Sequence, residues 1–308
     1  MREAAIGHRL KLPPGADYGW GVPAPLLLVD GDSMLFRAFF ALPESIEGTD
    51  GQPVNALLGI ANLVLREVEA HGPRAVVVCF GQEAAHYRVE LFSDYHAHRP
   101  EVPETLSAQF AAAPAFLEAL GWTVAAHESL EADDLLGAYA RREAAAGGRA
   151  LIMTGDRDLY QCAGDGVAVL YVRTGREGAE VVDAAEVERR YGVPPALVPD
   201  FIALRGDPSD GIPGAKGIGE KTAASLLARH GSLEAALEAA LGESGARVRT
   251  ALLDGREELP AYKEVATLRD VEVELPSDRR TDFAGGARAA RELGMNRLAD
   301  RLERSASA

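Results

Sequence analysis

Short, continuous apolar runs, each followed by a helical pattern, constrain the fold of this chain most strongly. The clearest runs cover residues 26–29, 75–80, 150–153 and 167–172, with a further short strand expected near 123–125. A strand without polar alternation is typical of one buried on both faces. Helical periodicity occupies about 54–71, 106–120 and 184–191. The alternation predicts an α/β fold with a central, mostly parallel sheet flanked by helices.

Acidic side chains lie where these runs end. Asp30 follows the first run, and Asp156 and Asp158 follow the third. The stretch E-A-D-D at 131–134 adds three carboxylates at the start of a predicted helix. Ligand crevices in open α/β sheets lie outside the carboxyl ends of the strands. We therefore expect all these groups to meet at one edge of the sheet.

Carboxylates gathered in this way repel one another unless cations lie between them. Clustered oxygen ligands are what hard divalent cations require. Two more carboxylates, Asp207 and Asp210, occur in the Pro/Gly-rich stretch G-D-P-S-D-G-I-P-G at 206–214. The sequence thus predicts a magnesium or manganese site.

Composition limits the class of protein. The net charge of −15 counts against a nucleic-acid binder, unless metal neutralises many carboxylates and the basic groups are clustered. The two cysteines permit no disulfide framework or zinc spacing, and Cys79 is expected in the core. No apolar run reaches the length of a membrane span, and no signal peptide is recognisable. We expect a monomeric, cytoplasmic protein without a membrane role.

Four segments are expected along the chain. A flexible N-terminal extension covers 1–24, and the α/β core covers 25–191, with an irregular excursion at about 82–105. A helix-hairpin-helix region covers 192–272. A C-terminal segment with a closing amphipathic helix covers 273–308, and the chain is expected to be helical and acidic from about 231 onward.

The sequence G-I-G at 217–219 lies directly before a predicted helix. Glycines allow close backbone approach, and a helix N-terminus offers unpaired N–H groups to an anion. A helix, a Gly-rich hairpin and a second helix form a reader of the nucleic-acid backbone rather than of base edges.

These motifs together resemble the 5′ nuclease domain of bacterial DNA polymerase I and the wider flap endonuclease family. The matching pieces are V-D-G with Asp30, E-A-D-D at 131–134, T-G-D-R-D-L-Y-Q at 154–161 and G-D-P-S-D-G-I-P-G-A-K-G-I-G-E-K-T-A at 206–223. The resemblance covers about 25–300 and implies a PIN-like core, a helical arch at 82–105 and a C-terminal helix-hairpin-helix. No polymerase region follows, so a free-standing enzyme is expected.

The resemblance also implies roles for particular residues. Asp30, Glu131 and Asp133 would hold a first metal, and Asp133, Asp156, Asp158 and Asp210 a second, with Asp134 and Asp207 as outer ligands. Two cations about 3.5–4 Å apart stabilise both the attacking and the leaving oxygens at phosphorus. Expected DNA contacts are Arg37, Tyr95, Lys216, Gly217, Gly219, Lys221 and Thr222. A potassium ion is expected at Gly217, Ile218 and Gly219.

Two departures from the family pattern stand out. The family's Phe-Asp pair after the second strand is Phe80-Gly81 here, so one ligand of the first metal is missing, and Asp32 and Glu83 are the candidates to replace it. In the arch, His96 stands where the family has a lysine near the scissile phosphate. Histidine has an unperturbed pKa of about 6.5, so a fixed charge is replaced by a pH-sensitive one. Arg88 and Arg99 remain as expected catalytic phosphate ligands.

Three readings follow. The first is a structure-specific 5′ nuclease acting on 5′ flaps, nicks and gapped duplex DNA in Okazaki-fragment processing and repair. The second is a catalytically impaired DNA-junction binding protein of the same fold, which Gly81 and His96 favour. The third is a smaller toxin-type ribonuclease, which the helix-hairpin-helix disfavours. The arch aromatics Tyr87, Phe92 and Tyr95 either stack on bases or pack the arch. Nothing in the sequence supports a polymerase or sliding-clamp partner.

Overall fold

A computed structural model describes residues 23–97, 99–173 and 178–307. The expected N-terminal extension therefore lies outside the described residues, apart from Pro23 and Ala24. None of the described helices is long and apolar enough to cross a membrane.

A six-stranded sheet forms the centre of the molecule, with the order β3-β2-β1-β4-β5-β6. All neighbouring strands are parallel except β6, which runs antiparallel to β5. The predicted α/β fold with a mostly parallel sheet is confirmed, although β6 was not predicted. The strands are Leu26–Asp30 (β1), Ala75–Phe80 (β2), Thr123–Ala126 (β3), Ala150–Thr154 (β4), Val167–Val172 (β5) and Ala179–Val182 (β6).

Helices cover both faces of this sheet. In chain order they are Gly31–Ala41 (α1), Asn55–His71 (α2), His86–Leu91 (α3), Glu104–Ala119 (α4), Ala132–Ala145 (α5), Ala184–Tyr191 (α6), Val198–Arg205 (α7), Glu220–His230 (α8), Leu233–Glu238 (α9), Ala246–Asp254 (α10), Leu259–Ala266 (α11), Phe283–Glu292 (α12) and Asn296–Ala306 (α13). Short 3-10 helices lie at Asp158–Cys162, Pro195–Leu197 and Ala240–Gly242.

The continuous apolar run in β1 has a direct structural reason. Leu26 and Leu28 point into the core on one side of the sheet, and Leu27 and Val29 into the core on the other. All four side chains are fully buried. Because helices cover both faces, no position in this strand faces water, so the polar alternation of a half-exposed strand is absent.

The C-terminal region contains the expected helix-hairpin-helix, with α7 and α8 joined by residues 206–219. The expectation of helix from about 231 to the end holds only in part, because residues 268–282, between α11 and α12, have no regular secondary structure. This segment is held by the rest of the molecule. The Arg279 amide donates to the Arg74 carbonyl at 2.8 Å, and the Asp282 amide donates to the Leu120 carbonyl at 2.8 Å.

The segment at 82–105 differs from the helical arch that the resemblance implied. Its described residues contain one six-residue helix, α3, followed by turns and the start of α4. Arg88 and Tyr95 are only 3% and 5% exposed. These two side chains anchor the part of the segment around α3 against α5, while many other described residues of the segment are exposed.

Candidate metal centre

The carboxylates expected at the strand ends line one cavity of about 1490 Å³. Asp30 ends β1 and caps α1, and Asp133 lies in the first turn of α5. Asp156 and Asp158 follow β4. The predicted ligands that line this cavity are Asp30, Glu131, Asp133, Asp156, Asp158, Asp207 and Asp210.

Thr154, the last residue of β4, connects the two strand ends. Its hydroxyl donates to Asp30 Oδ2 at 2.7 Å and accepts from the Asp156 amide at 2.9 Å. Asp30 also accepts from the Ser33 amide at 3.0 Å, as an N-cap does. The Asp158 amide in turn donates to Asp156 Oδ1 at 2.8 Å. This chain of hydrogen bonds fixes the carboxylates from β1 and β4 relative to each other.

The electrostatics of the cavity favour cations. Burial raises the pKa of Asp30, Asp133 and Asp158, and the charge of Asp156 raises the pKa of Asp133 and Asp158 further. Burial, and then the charge of Asp210, raises the pKa of Asp156 to about 7. Nearby cationic side chains therefore do not offset the negative charge. Oxygen donors with excess negative charge suit Mg²⁺ or Mn²⁺.

The carboxylates do not form a closed ligand shell by themselves. Among the described residues, no three His, Cys, Asp or Glu side chains converge tightly enough to hold an ion unaided. Mg²⁺ sites commonly keep several waters and bind through one or two carboxylates plus substrate phosphates. The residues present fit ions of this kind.

Glu131, expected at the first metal, is held by the segment around α3. Its Oε1 accepts from the Ala85 amide at 2.8 Å, and its Oε2 accepts from the Tyr95 hydroxyl at 2.9 Å. Arg88 forms an ion pair with the same Oε2. Both side chains also line the cavity, and the expected roles of Arg88 as a phosphate ligand and Tyr95 as a DNA contact stay predictions. Both side chains are buried and position Glu131, because the carboxylate needs partners inside the core.

Asp134, expected as an outer metal ligand, points elsewhere. It is fully buried and does not line the cavity. Its carboxylate completes a capping box at the start of α5 and pairs with Arg88 at 3.1 Å. It also accepts from the Arg269 amide at 2.8 Å and from the Tyr87 hydroxyl at 3.0 Å. Helix capping and ion pairing use its oxygens in this structure, and its role as an outer metal ligand stays a prediction.

The remaining arch aromatics also pack within the protein. The guanidinium of Arg269 lies 3.5 Å from the centroid of the Tyr87 ring, and Phe92 makes an edge contact with Tyr262 at 5.2 Å. Of the two alternatives that the sequence left open, packing is the one observed.

His96 contacts Asp210. Its Nδ1 lies 2.8 Å from the Glu83 carbonyl, and its Nε2 lies 3.1 Å from Asp210 Oδ1. A carbonyl only accepts, so Nδ1 carries a proton, and the Nε2 contact needs a second proton on one of its two partners. The ring stacks on Tyr95 at 3.8 Å, and its side chain is 5% exposed. His96 thus positions Asp210 in this structure, and its expected phosphate contact stays a prediction.

Two arginines flank the same loop. Arg99 lies 3.6 Å from Asp210 and is 40% exposed, so it stays a predicted phosphate contact. Arg205 donates to Asp207 Oδ2 at 2.8 Å, while the Ser209 amide donates to Asp207 Oδ1 at 2.9 Å. Asp207 thus stabilises the turn that presents Asp210.

Comparison with known proteins identifies the family. Residues 25–192 match the family model described as 5′-3′ exonuclease, N-terminal resolvase-like domain. Residues 193–283 match the model described as 5′-3′ exonuclease, C-terminal SAM fold. The chain belongs to the 5′-3′ exonuclease family. It is therefore a 5′ nuclease, an enzyme that hydrolyses phosphodiesters.

Two relatives that match most of this chain are also 5′-3′ exonucleases. The chain is 44% identical over 236 residues to a 5′-3′ exonuclease of Streptomyces coelicolor, covering 72% of this chain and 77% of the relative. It is 39% identical over 282 residues to a 5′-3′ exonuclease of Mycobacterium tuberculosis, covering 83% and 88%. The fold is similar to that of a bacteriophage T5 D15 flap endonuclease variant solved as a pseudo-enzyme-product complex with DNA and metal ions. That match has a TM-score of 0.64 at 16% identity and covers 92% of this chain and 100% of that one.

Gly81, where the resemblance implied an aspartate, leaves no room for a side chain. A Cβ there would lie 2.3 Å from the Ala132 amide nitrogen and 2.4 Å from the Glu131 carbonyl carbon. The Gly81 amide instead donates to Asp32 Oδ2 at 3.0 Å. Burial, and then the charge of Asp30, raises the pKa of Asp32 to about 8. The end of β2 thus approaches α5 so closely that glycine is required.

The loop between α7 and α8 matches the surface expected for a phosphate backbone. Four of the predicted DNA contacts in this region are exposed, namely Lys216, Gly217, Gly219 and Lys221. Thr222 is half-buried. Gly217 has a φ of 80°, which favours glycine. Gly219 is the N-cap of α8 without a side-chain cap, so no side chain screens the first amides of the helix. The buried Ile218 side chain anchors the loop to the core. The DNA and potassium roles of these residues stay predictions.

Arg37, expected at DNA, has a role in the protein itself. Its Nη2 donates to the Gly155 carbonyl at 2.9 Å and its Nε to the Ser33 hydroxyl at 3.3 Å. It thereby supports the turn that carries Asp156. The sequence reasoning assigned no role to Thr154 or Arg205, although Thr154 is the first residue of one quoted motif and Arg205 directly precedes another.

Proposed function

We propose that this chain is a divalent-metal-dependent 5′ nuclease that cuts DNA near junctions of single-stranded and duplex DNA. It acts as a 5′-3′ exonuclease and a 5′-flap endonuclease, working as a monomer in Okazaki-fragment processing and repair. The observation that carries this proposal is the group of buried and half-buried carboxylates with raised pKa at one sheet edge, beside the loop of a helix-hairpin-helix.

The proposal assigns two divalent ions to the cavity. Asp30, Glu131 and Asp133 would hold the first ion, and Asp133, Asp156, Asp158 and Asp210 the second. Bound Mg²⁺ or Mn²⁺ ions supply charge stabilisation at phosphorus and an activated water near neutral pH. The protein residues keep the carboxylates in place. Thr154 fixes Asp30 and Asp156, and His96 fixes Asp210.

The second half of the proposal concerns how DNA is held. The exposed amides at the start of α8 suit a phosphate oxygen, and the exposed Lys216 and Lys221 add positive charge. Carbonyls of residues 217–219 would take a potassium ion. The part-exposed Arg99 lines the cavity and lies 3.6 Å from Asp210, so it suits the phosphate to be cut.

An end-labelled 5′-flap duplex tests the proposal directly, with Mg²⁺ and Mn²⁺ titrated separately. Metal-dependent cutting within a few nucleotides of the junction is expected, with Asp156→Asn as the inactive control. A labelled single strand and a blunt duplex establish junction selectivity.

One observation favours the alternative of a catalytically impaired junction-binding protein. Both Glu131 oxygens already have partners, including Arg88. Tight flap binding without cutting in either metal would select this alternative.

A further inference from the structure

The first metal position of the proposed nuclease lacks a carboxylate at residue 81, and this chain cannot restore it there. The ideal Cβ of Gly81 would lie 2.6 Å from the Glu131 Cα and still closer to the next peptide bond. All three nearest atoms are backbone, so rotation of a neighbouring side chain cannot relieve the contact. A carboxylate at this end of β2 must come from another element.

Asp32, in the first turn of α1, reaches this place. Its Oδ2 accepts from the Gly81 amide at 3.0 Å. Among the described residues, this amide is the only hydrogen-bond donor found for its carboxylate. Asp32 lines the same cavity as Asp30, Glu131 and Asp133.

The charged groups around Asp32 are acidic and favour a bound cation. Its strongest charge interactions are with Asp30, Glu131 and Glu83, which are all acidic. Structural acidic residues in this protein instead have basic partners, as Glu143 has with Arg74. A half-buried carboxylate beside three others and without such a partner is suited to bind a divalent ion.

Glu83 fits this role less well. Its side chain is exposed, while its carbonyl contacts His96 Nδ1 at 2.8 Å. No hydrogen bond within the described residues orients its carboxylate.

We propose that Asp32 supplies the carboxylate that position 81 cannot carry, and that it is a ligand of the first divalent ion beside Asp30 and Glu131. This inference rests on the proposed function. This ligand comes from helix α1, so it does not disturb the close contact between the end of β2 and the start of α5.

The test counts Mn²⁺ ions bound by the full chain without DNA, using electron paramagnetic resonance of free Mn²⁺ together with calorimetric titration. Asp32→Asn removes the charge and retains an acceptor for the Gly81 amide. We expect one Mn²⁺ fewer, or a first-site affinity lower by at least about tenfold, since the loss even of an outer-shell partner costs about 10–100-fold. Asp32→Ser is the second variant and has the same expected result.

Two controls make the result specific. Asp165→Asn is a matched change at an exposed turn, and Glu83→Gln removes the rival carboxylate. Both should bind Mn²⁺ like the wild type. Unchanged Mn²⁺ number and affinity in Asp32→Asn and Asp32→Ser would overturn the inference, as would a loss confined to Glu83→Gln.

Mn²⁺ binding and flap cutting by the wild-type protein distinguish failure of the proposed function from failure of the inference about Asp32. If it binds no Mn²⁺ and cuts no flap, the proposed function fails, and the inference fails with it. If it binds Mn²⁺ and cuts while the Asp32 variants bind equally well, only the inference fails.

Discussion

The hydroxyl of Thr154 donates to the carboxylate of Asp30 at 2.7 Å, across the pair formed by β1 and β4. The same oxygen accepts from the Asp156 amide, so one side chain sets the spacing of two proposed ligands.

Thr154→Val should therefore impair cutting more than folding. Valine keeps the shape and removes the donor to Asp30 and the acceptor for Asp156. We expect kcat to fall about tenfold, which corresponds to about 1.4 kcal/mol. Flap-cleavage kinetics measure this, and Thr154→Ser, which keeps the hydroxyl, should retain activity. Wild-type kcat in the valine variant would exclude this positioning role.

Arg88→Met should destabilise the protein, because it leaves Glu131 and Asp134 buried without their cationic partner. Breaking a buried ion pair costs about 3–5 kcal/mol. Urea denaturation measures this loss, and Arg88→Lys, which keeps the charge, should lose less. If Arg88 were instead a phosphate ligand, stability would be unchanged and KM would rise.

Gly81→Ala should lower the free energy of unfolding by about 1–3 kcal/mol, since overpacking forces the backbone to shift. Gly81→Asp should also lower the free energy of unfolding, and it should not tighten metal binding. Gly164→Ala is the matched control and should keep wild-type stability, because a Cβ there meets open space and Gly164 has no positive φ. Wild-type stability with tighter Mn²⁺ binding in Gly81→Asp would contradict the structure.

The metal-free protein should lose stability as pH rises from 5 to 8. The folded-state pKa of Asp156 is about 7, against an ordinary value of 3.8. The folded state therefore binds protons more tightly than the unfolded state, and the stabilising effect of protonation is lost as pH passes the folded pKa. Mg²⁺ should raise the melting temperature more at pH 8 than at pH 6. In Asp156→Asn the pH dependence should be smaller, and an equal dependence in both proteins would exclude Asp156 as a source.

Lys221→Ala should weaken duplex binding at low salt and reduce the slope of log K against log salt by about one. Arg304→Ala provides a control, because α13 packs on the opposite side of the sheet from α8. An unchanged slope in Lys221→Ala would remove this lysine from the phosphate contacts.

Much of the fold follows from local patterns in the sequence. The apolar run at 26–29 predicts β1 because both faces of the strand are covered, and parallel strands bring Asp30 and Asp156 to one edge. Strand β6 was missed because its pattern A-E-V-V is short and half-exposed.

The packing of the segment at 82–105 could not be predicted from local patterns in the sequence. Arg88 reaches Glu131 across 43 positions of the chain, and nothing in the local pattern shows that this arginine is buried. The resemblance suggested a phosphate ligand in Arg88 and a DNA contact in Tyr95, and it gave no sign of the long-range ion pair and hydrogen bond that both make to Glu131. The need for glycine at 81 likewise depends on the approach of a distant helix.

The most direct test of the account compares flap cutting and flap binding in Asp156→Asn and Asp158→Asn with those in the wild type. If these carboxylates hold the catalytic ions, cutting should fall by at least about a thousandfold, or about 4 kcal/mol, while the Kd for the flap stays within about threefold. Retained cutting in both variants would contradict the metal centre proposed for this nuclease.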